Sequence, residues 1–202
     1  GWGGGGGWPD PTISVAATNN PLVAQYTIAP RPGSTAWIEF GEDTNYGRQT
    51  SVTPPTVGLG KVLTILVAGM KQSATYHMRA HVNWYGGGSW VDQDRTFTTG
   101  TFPPPAPQFT VSRPNPGLTP QPGIEFVSLD TCFATDLEGN IIWYYSGMVI
   151  SASPCKFLPN GNLAVVTTAT GSSAIKEIDL AGNTVRQLTN AALTQELAEK
   201  GY

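Results

Sequence analysis

The chain has 202 residues, 11 basic and 14 acidic side chains, and a formal net charge of −3. Charged residues make up 12% of it, about half the roughly 25% of an ordinary soluble domain. A mildly acidic chain so poor in Lys and Arg is not built to coat nucleic acid or an anionic membrane, no stretch approaches the roughly 20 apolar residues of a membrane span, and a hydrophobic content of 40% argues against disorder throughout. The 24 glycines and 17 prolines, with aromatics at 10%, give the texture of an exported all-β protein of one or two domains.

The chain opens Gly1-Trp2-Gly3 and runs through Gly7 to Trp8-Pro9. It has no initiator Met and no charged-then-apolar leader, so any export signal is expected to have been removed or left out. Residues 1–9 have too much backbone entropy to fold alone and read as a flexible tether. The alternative is that the two tryptophans hold the tail on another surface, such as a neighbouring subunit.

From residue 10 to 100 short alternating runs are separated by turn residues, the signature of strands. Ile13, Val15 and Ala17 alternate, and Leu22, Ala24, Tyr26 and Ile28 do so after Asn19-Asn20-Pro21. Ala36, Ile38 and Phe40 precede a turn from Gly41 to Gly47, and Leu63, Ile65 and Val67 form another run. In the clearest run Tyr76, Met78, Ala80, Val82 and Trp84 point to the core, and His77, Arg79, His81 and Asn83 point away. A last run, Trp90 to Thr98, follows the Gly86-Gly87-Gly88 hairpin turn. Six or seven strands at this spacing predict an immunoglobulin-like β-sandwich.

The stretch from Gly69 to Ala80, with Met70 six residues before Tyr76, resembles the fibronectin type III pattern, and Arg95-Thr96-Phe97-Thr98-Thr99-Gly100 resembles its closing strand. That resemblance implies a fold and no chemistry. The only histidines, His77 and His81, lie four apart on one strand face. A metal site needs three or four ligands, and no Asp, Glu or Cys lies at short spacing around them. They read as a solvent-facing strand, and no metal or cofactor is expected.

Residues 101–123 form a Pro-rich linker, beginning Phe102-Pro103-Pro104-Pro105-Ala106-Pro107, which is too stiff to join a central sheet. From 124 to 202 an internal repeat appears. Asp136-Leu137-Glu138-Gly139-Asn140 is echoed by Leu158-Pro159-Asn160-Gly161-Asn162 and by Asp179-Leu180-Ala181-Gly182-Asn183, with the central glycines 22 and 21 residues apart. Each unit reads strand, Gly-Asn turn, strand, and two such hairpins fit the roughly 40–45 residues of a four-stranded propeller blade. Asp136-x-Glu138-x-Asn140 has the beginning of a calcium loop but neither its glycine nor its distal Glu, so a plain turn is expected. Thr189 to Lys200 predicts a short helix, with Thr189 or Asn190 as cap, Leu193 and Leu197 on one face, and Gly201 as its stop.

The run Ala134 to Tyr144, followed by Phe157 to Leu163 and Glu177 to Asn183, resembles the first propeller blade of bacterial aryl-sulfate sulfotransferases. The resemblance implies a small β-sandwich ahead of a propeller, the domain order read here, in an exported enzyme that moves sulfate between phenols through a propeller histidine. The family's catalytic histidine and its sulfate-binding Arg and His come from later blades, whereas no histidine follows His81. No catalytic residue is therefore carried over, and this chain alone is expected to be inactive in sulfate transfer.

Cys132 and Cys155 are the only cysteines, and in an exported protein they suggest a disulfide, the alternative being two buried thiols. A lone blade leaves its faces and edges uncovered. The expectation is an exported structural or assembling protein, periplasmic, cell-surface or extracellular, completed by other copies of itself as a dimer or filament. One alternative is the amino-terminal part of an active aryl-sulfate sulfotransferase. A second is a carbohydrate- or surface-binding module using Trp37, Trp84 and Trp90, although alternation places Trp84 in the core.

Overall fold

The computed structural model describes residues 10–103, 107, 109–112, 115–128, 131–147, 155–169 and 172–201. The Gly/Trp tail, residues 1–9, lies outside the described residues, as do Pro104, Pro105, Ala106 and Pro114 of the Pro-rich stretch. The described residues form four antiparallel sheets and one helix, so the chain is all-β with a short helix. It divides into two compact units.

The first unit comprises residues 10–16, Ala24–Val67 and Thr75–Thr98. Its strands are β1 (Thr12–Ala17), β2 (Ala24–Ala29), β3 (Thr35–Gly41), β4 (Arg48–Gln49), β5 (Leu63–Val67), β6 (Thr75–Asn83), β7 (Ser89–Val91) and β8 (Arg95–Thr98). One sheet has the order β1-β2-β5; the other runs β4-β3-β6, with β7 and β8 both pairing β6. This is the two-sheet division of a β-sandwich. The alternation seen in the sequence sets the core. Ala24, Tyr26, Ile28, Ala36, Ile38, Phe40, Ile65, Val67, Tyr76, Met78, Ala80 and Val82 are all buried, and the residues between them face outward. Met70 and Tyr76, which carry the fibronectin type III resemblance, are both fully buried, and the Tyr76 hydroxyl donates to Glu42 Oε1 at 3.4 Å. The turn after β3 requires glycine at its first position, because a Cβ on Gly41 would lie 1.7 Å from the Tyr46 carbonyl oxygen.

Two expectations are corrected here. Trp90 to Thr98 is not one strand but two, separated by Asp92-Gln93-Asp94. The cause is Asp92, only 6% exposed, which turns inward to accept the Tyr26 hydroxyl and the Arg95 guanidinium. A buried carboxylate needs such partners, and meeting them interrupts the ladder. Trp84 does not continue the inward row of β6. The strand ends at Asn83, and Trp84 belongs to the glycine turn, its N–H donating to Gly88 O at 3.0 Å. Its ring is half-buried, with the Arg31 guanidinium 4.4 Å from the ring centre.

The second unit comprises Ala17–Val23, Ala68–Ala74 and the chain from Thr99 onward. Its strands are β9 (Glu125–Ser128), β10 (Cys132–Thr135), β11 (Ile141–Tyr145), β12 (Lys156–Phe157), β13 (Leu163–Ala169), β14 (Ser172–Ile178) and β15 (Thr184–Thr189), followed by helix α1 (Asn190–Glu199). β9, β10 and β11 make a three-stranded meander, and β12 to β15 a four-stranded one, each in chain order. The three repeat turns have one geometry. Asp136 N–H bonds Asn140 O at 3.0 Å, Leu158 N–H bonds Asn162 O at 2.8 Å, and Asp179 N–H bonds Asn183 O at 3.0 Å. Gly139, Gly161 and Gly182 adopt φ of 84°, 84° and 85°, a region where a side chain is strained. The second and third turns together build the blade-sized sheet, while the first belongs to the three-stranded sheet before it.

Phe133 and Tyr144 of the three-stranded sheet pack with Leu22, Ile141, and Phe102 and Phe109 of the Pro-rich stretch. Buried Asn20 fixes that cluster, donating from Nδ2 to Tyr144 O at 2.8 Å while its Oδ1 accepts Leu22 N–H at 3.1 Å. Helix α1 is capped as read from the sequence, Thr189 Oγ1 accepting Ala192 N–H at 3.2 Å and Gly201 following the last turn at φ 80°.

Cys132 and Cys155 are disulfide-bonded, with Cα atoms 6.6 Å apart, and join β10 to the residue just before β12. Their sequence separation is 23, and closing a loop of that size restricts the unfolded chain by about 3 kcal/mol. Reduction is therefore expected to lower the stability of the second unit by about that amount and to leave the cysteine-free sandwich unchanged. Denaturant melts followed by tryptophan fluorescence, with and without reductant, check this; superimposable curves would contradict it.

Candidate functional site

Two surfaces carry unusual chemistry, one in each unit. On the first, the outward face of β3 and β6 gathers Trp37, Glu39, His77, Arg79 and His81, as the pairs Trp37 with His81 and Glu39 with Arg79 are directly opposite in register. The Trp37 and His81 rings stack at 4.9 Å with 9° between their planes. His81 Nε2 lies 3.0 Å from Glu39 Oε1, and Arg79 Nε donates to the same oxygen. His77 Nδ1 lies 2.7 Å from Asp94 Oδ2, whose other oxygen accepts the Tyr46 hydroxyl at 3.1 Å.

The two histidines thus share a face, as read from the sequence, but each is held by its own carboxylate. Those carboxylates come from β3 and from the segment between β7 and β8, far away in sequence, so local spacing gave no sign of them. Among the described residues no group of three or more His, Cys, Asp or Glu is arranged to hold a metal ion. Burial opposes ionisation of Glu39, yet pairing with His81 and Arg79 more than offsets it and holds the carboxyl below its ordinary value. Burial and the Asp94 carboxylate push the Tyr46 phenol up.

The three tryptophans of the sugar-binding reading are divided. Trp37 is on the outward face with His81, whereas Trp90 is opposite the buried Val82. Trp84 lies in the turn, beyond the end of β6.

In the second unit the Asp136 carboxylate braces its own turn. Oδ1 accepts the N–H groups of Glu138 at 3.1 Å and Asn140 at 2.8 Å, and Oδ2 accepts the Asn140 side chain at 2.8 Å. Asp179 repeats the arrangement with Asn183 at 2.9 and 3.0 Å. The calcium-like spacing is therefore a turn brace used twice.

The four-stranded sheet is the other surface. One face, with Leu163, Val165, Ala174 and Ile178, is buried. The three-stranded sheet contributes to covering it: the Phe126 ring meets Phe157 at 5.2 Å and Trp143 at 5.7 Å, and the Trp143 indole N–H donates to Leu180 O at 2.7 Å. The other face carries the cross-strand rows Val166-Ile175-Leu188 and Ala164-Glu177-Arg186. Ile175 is 50% and Leu188 36% exposed, and these rows line a shallow groove. Hydrogen bonds from Asn162 and Asn160, with the Arg186 guanidinium 3.2 Å away, hold the Glu177 carboxyl below its ordinary value. No residue of α1 is buried, and Leu193 and Leu197, the face read from the sequence, are exposed.

The Glu39 cluster has a signed pH consequence. A carboxyl that titrates below its ordinary value of 4.5 contributes stability above that pH, and the contribution is lost as pH falls through the folded pKa. Glu39→Gln is expected to flatten the loss of thermal stability of the sandwich between about pH 5 and pH 3. Calorimetry across that range checks it; parallel profiles for the two proteins would contradict it.

No protein-family model, curated protein or solved structure matches the chain, so its function must be argued from these surfaces.

Proposed function

We propose that the chain is an exported structural protein that assembles through its repeat region and is related to the amino-terminal part of aryl-sulfate sulfotransferases without their catalytic residues. The observation that carries this reading is the unequal covering of the four-stranded sheet. A repeat sheet is stable when both faces are packed; here one face is packed by the preceding sheet, and Ile175 and Leu188 stand in solvent on the other. An apolar row of this kind, rimmed by the Glu177–Arg186 pair, suits a neighbouring sheet.

Export is supported by the disulfide, since such bonds persist in oxidising compartments, and no described helix is long and apolar enough to cross a membrane. The sulfotransferase relationship is supported by the three turns of one geometry following a β-sandwich. Those turns also favour a second reading, in which the open face is covered by further sheets of a longer enzyme chain.

Light scattering over a concentration series tests the proposal. The oxidised chain is expected to show a mass above that of one chain. Ile175→Asp, at a half-exposed position, should weaken association at least about tenfold, equivalent to about 1.4 kcal/mol, with its thermal midpoint unchanged. A cooperatively folded single chain at all concentrations would contradict the assembling reading. Sulfate transfer from an aryl sulfate to a phenol by this chain alone would contradict the absence of a catalytic centre.

A further inference from the structure

The edges of the four sheets are unequal. Several are very short: β4 and β12 have two residues each and β7 has three, and short edges resist pairing with other chains. β1 has six residues but follows directly on Pro11. β15 is different. It has six residues, Thr184-Val185-Arg186-Gln187-Leu188-Thr189, five of them exposed, with no proline and a single charged side chain, Arg186, which is paired with Glu177 of the neighbouring strand. Among the described residues no strand lies along its outer side. A long edge with so little protection offers a row of backbone N–H and C=O groups as a template for another strand.

Symmetry limits what that strand can be if it is β15 of a second copy. Two identical antiparallel neighbours are related by a two-fold axis perpendicular to the sheet, so the axis must pass between one residue and its own copy. Four positions are available within the strand's interior, and three are unfavourable. Centring on Arg186 sets two guanidinium groups directly opposite each other, which is destabilising. Centring on Val185 places the axis at the bulge where β14 and β15 shift register. Centring on Leu188 brings Arg186 opposite Asn190, already the first residue of α1.

Centring on Gln187 places two amides opposite one another, where each can donate and accept. Arg186 then lies opposite the copy's Leu188, covering it with its aliphatic stem, and each Arg186 keeps Glu177 of its own β14 at 3.2 Å. The Val166-Ile175-Leu188 row of one copy then meets the Arg186-Glu177-Ala164 row of the other across the junction.

We infer that a second copy of this chain pairs antiparallel along β15 with the two-fold axis at Gln187, joining two four-stranded sheets into one of eight strands. The inference rests on the assembling reading above and adds to its face contact a second contact, along the sheet edge. It is tested by a charge exchange at the self-opposed position, using the full oxidised chain. Gln187 is exposed, so Gln187→Lys and Gln187→Glu should each keep the thermal midpoint. Each alone should lose at least tenfold in dimer affinity through like charges meeting at the axis, and an equimolar mixture should regain the wild-type mass. Association of the wild type that both variants leave untouched would overturn the β15 contact while the assembling reading stands. A wild type that stays a single chain would overturn both. Two weakened variants that fail to rescue each other on mixing would overturn the Gln187 register.

Discussion

The Trp143 indole N–H that reaches the Leu180 carbonyl at 2.7 Å is the contact on which the second unit depends. It ties the three-stranded sheet to the third of the repeat turns. With the Phe126 and Phe157 rings beside it, it fixes which face of the four-stranded sheet is interior. Once that face is fixed, strand alternation decides the rest: Leu163, Val165 and Ile178 go in, and Ile175, Glu177, Arg186 and Leu188 go out. The open groove is a consequence of that choice of face, and the bare β15 edge follows from strand order. The disulfide acts on the same junction, because it holds β10 close to the start of β12.

The two surfaces differ in chemical character. On the sandwich, every group singled out has a partner within its own unit: His77 has Asp94, His81 and Arg79 share Glu39, and Trp37 covers His81. Such a face has its polar groups mutually paired, which suits a stable scaffold. On the blade-like sheet, polar groups are paired as well, with Glu177 holding Asn160, Asn162 and Arg186. What is left over there is apolar area and backbone at an edge. Those are the groups that drive association rather than chemistry.

Much of the fold was legible in the sequence because period-two alternation maps directly onto burial in a sandwich. Ala36-Ile38-Phe40 and Tyr76-Met78-Ala80-Val82 are buried as read, and the glycines at 139, 161 and 182 mark three equivalent turns. Alternation failed where a single polar group overrode it. Asp92 broke the run from Trp90 to Thr98 because its buried charge had to meet Tyr26 and Arg95, and Trp84 fell past the end of its strand into the glycine turn. The carboxylates that hold the histidines were invisible, since Glu39 and Asp94 reach them only through strand pairing. The apolar face of α1 was readable from Leu193 and Leu197, but its exposure was not, because a pattern shows which face is apolar and not whether anything meets it.

The central claim is that the open β15 edge of the four-stranded sheet is completed by another copy of the chain. Hydrogen–deuterium exchange of the β15 amides at low and high protein concentration tests it most directly. The account predicts that the outward amides between Val185 and Thr189 become protected as concentration rises, while the strands of the sandwich exchange at an unchanged rate. Exchange along β15 that is fast and identical at both concentrations would contradict it.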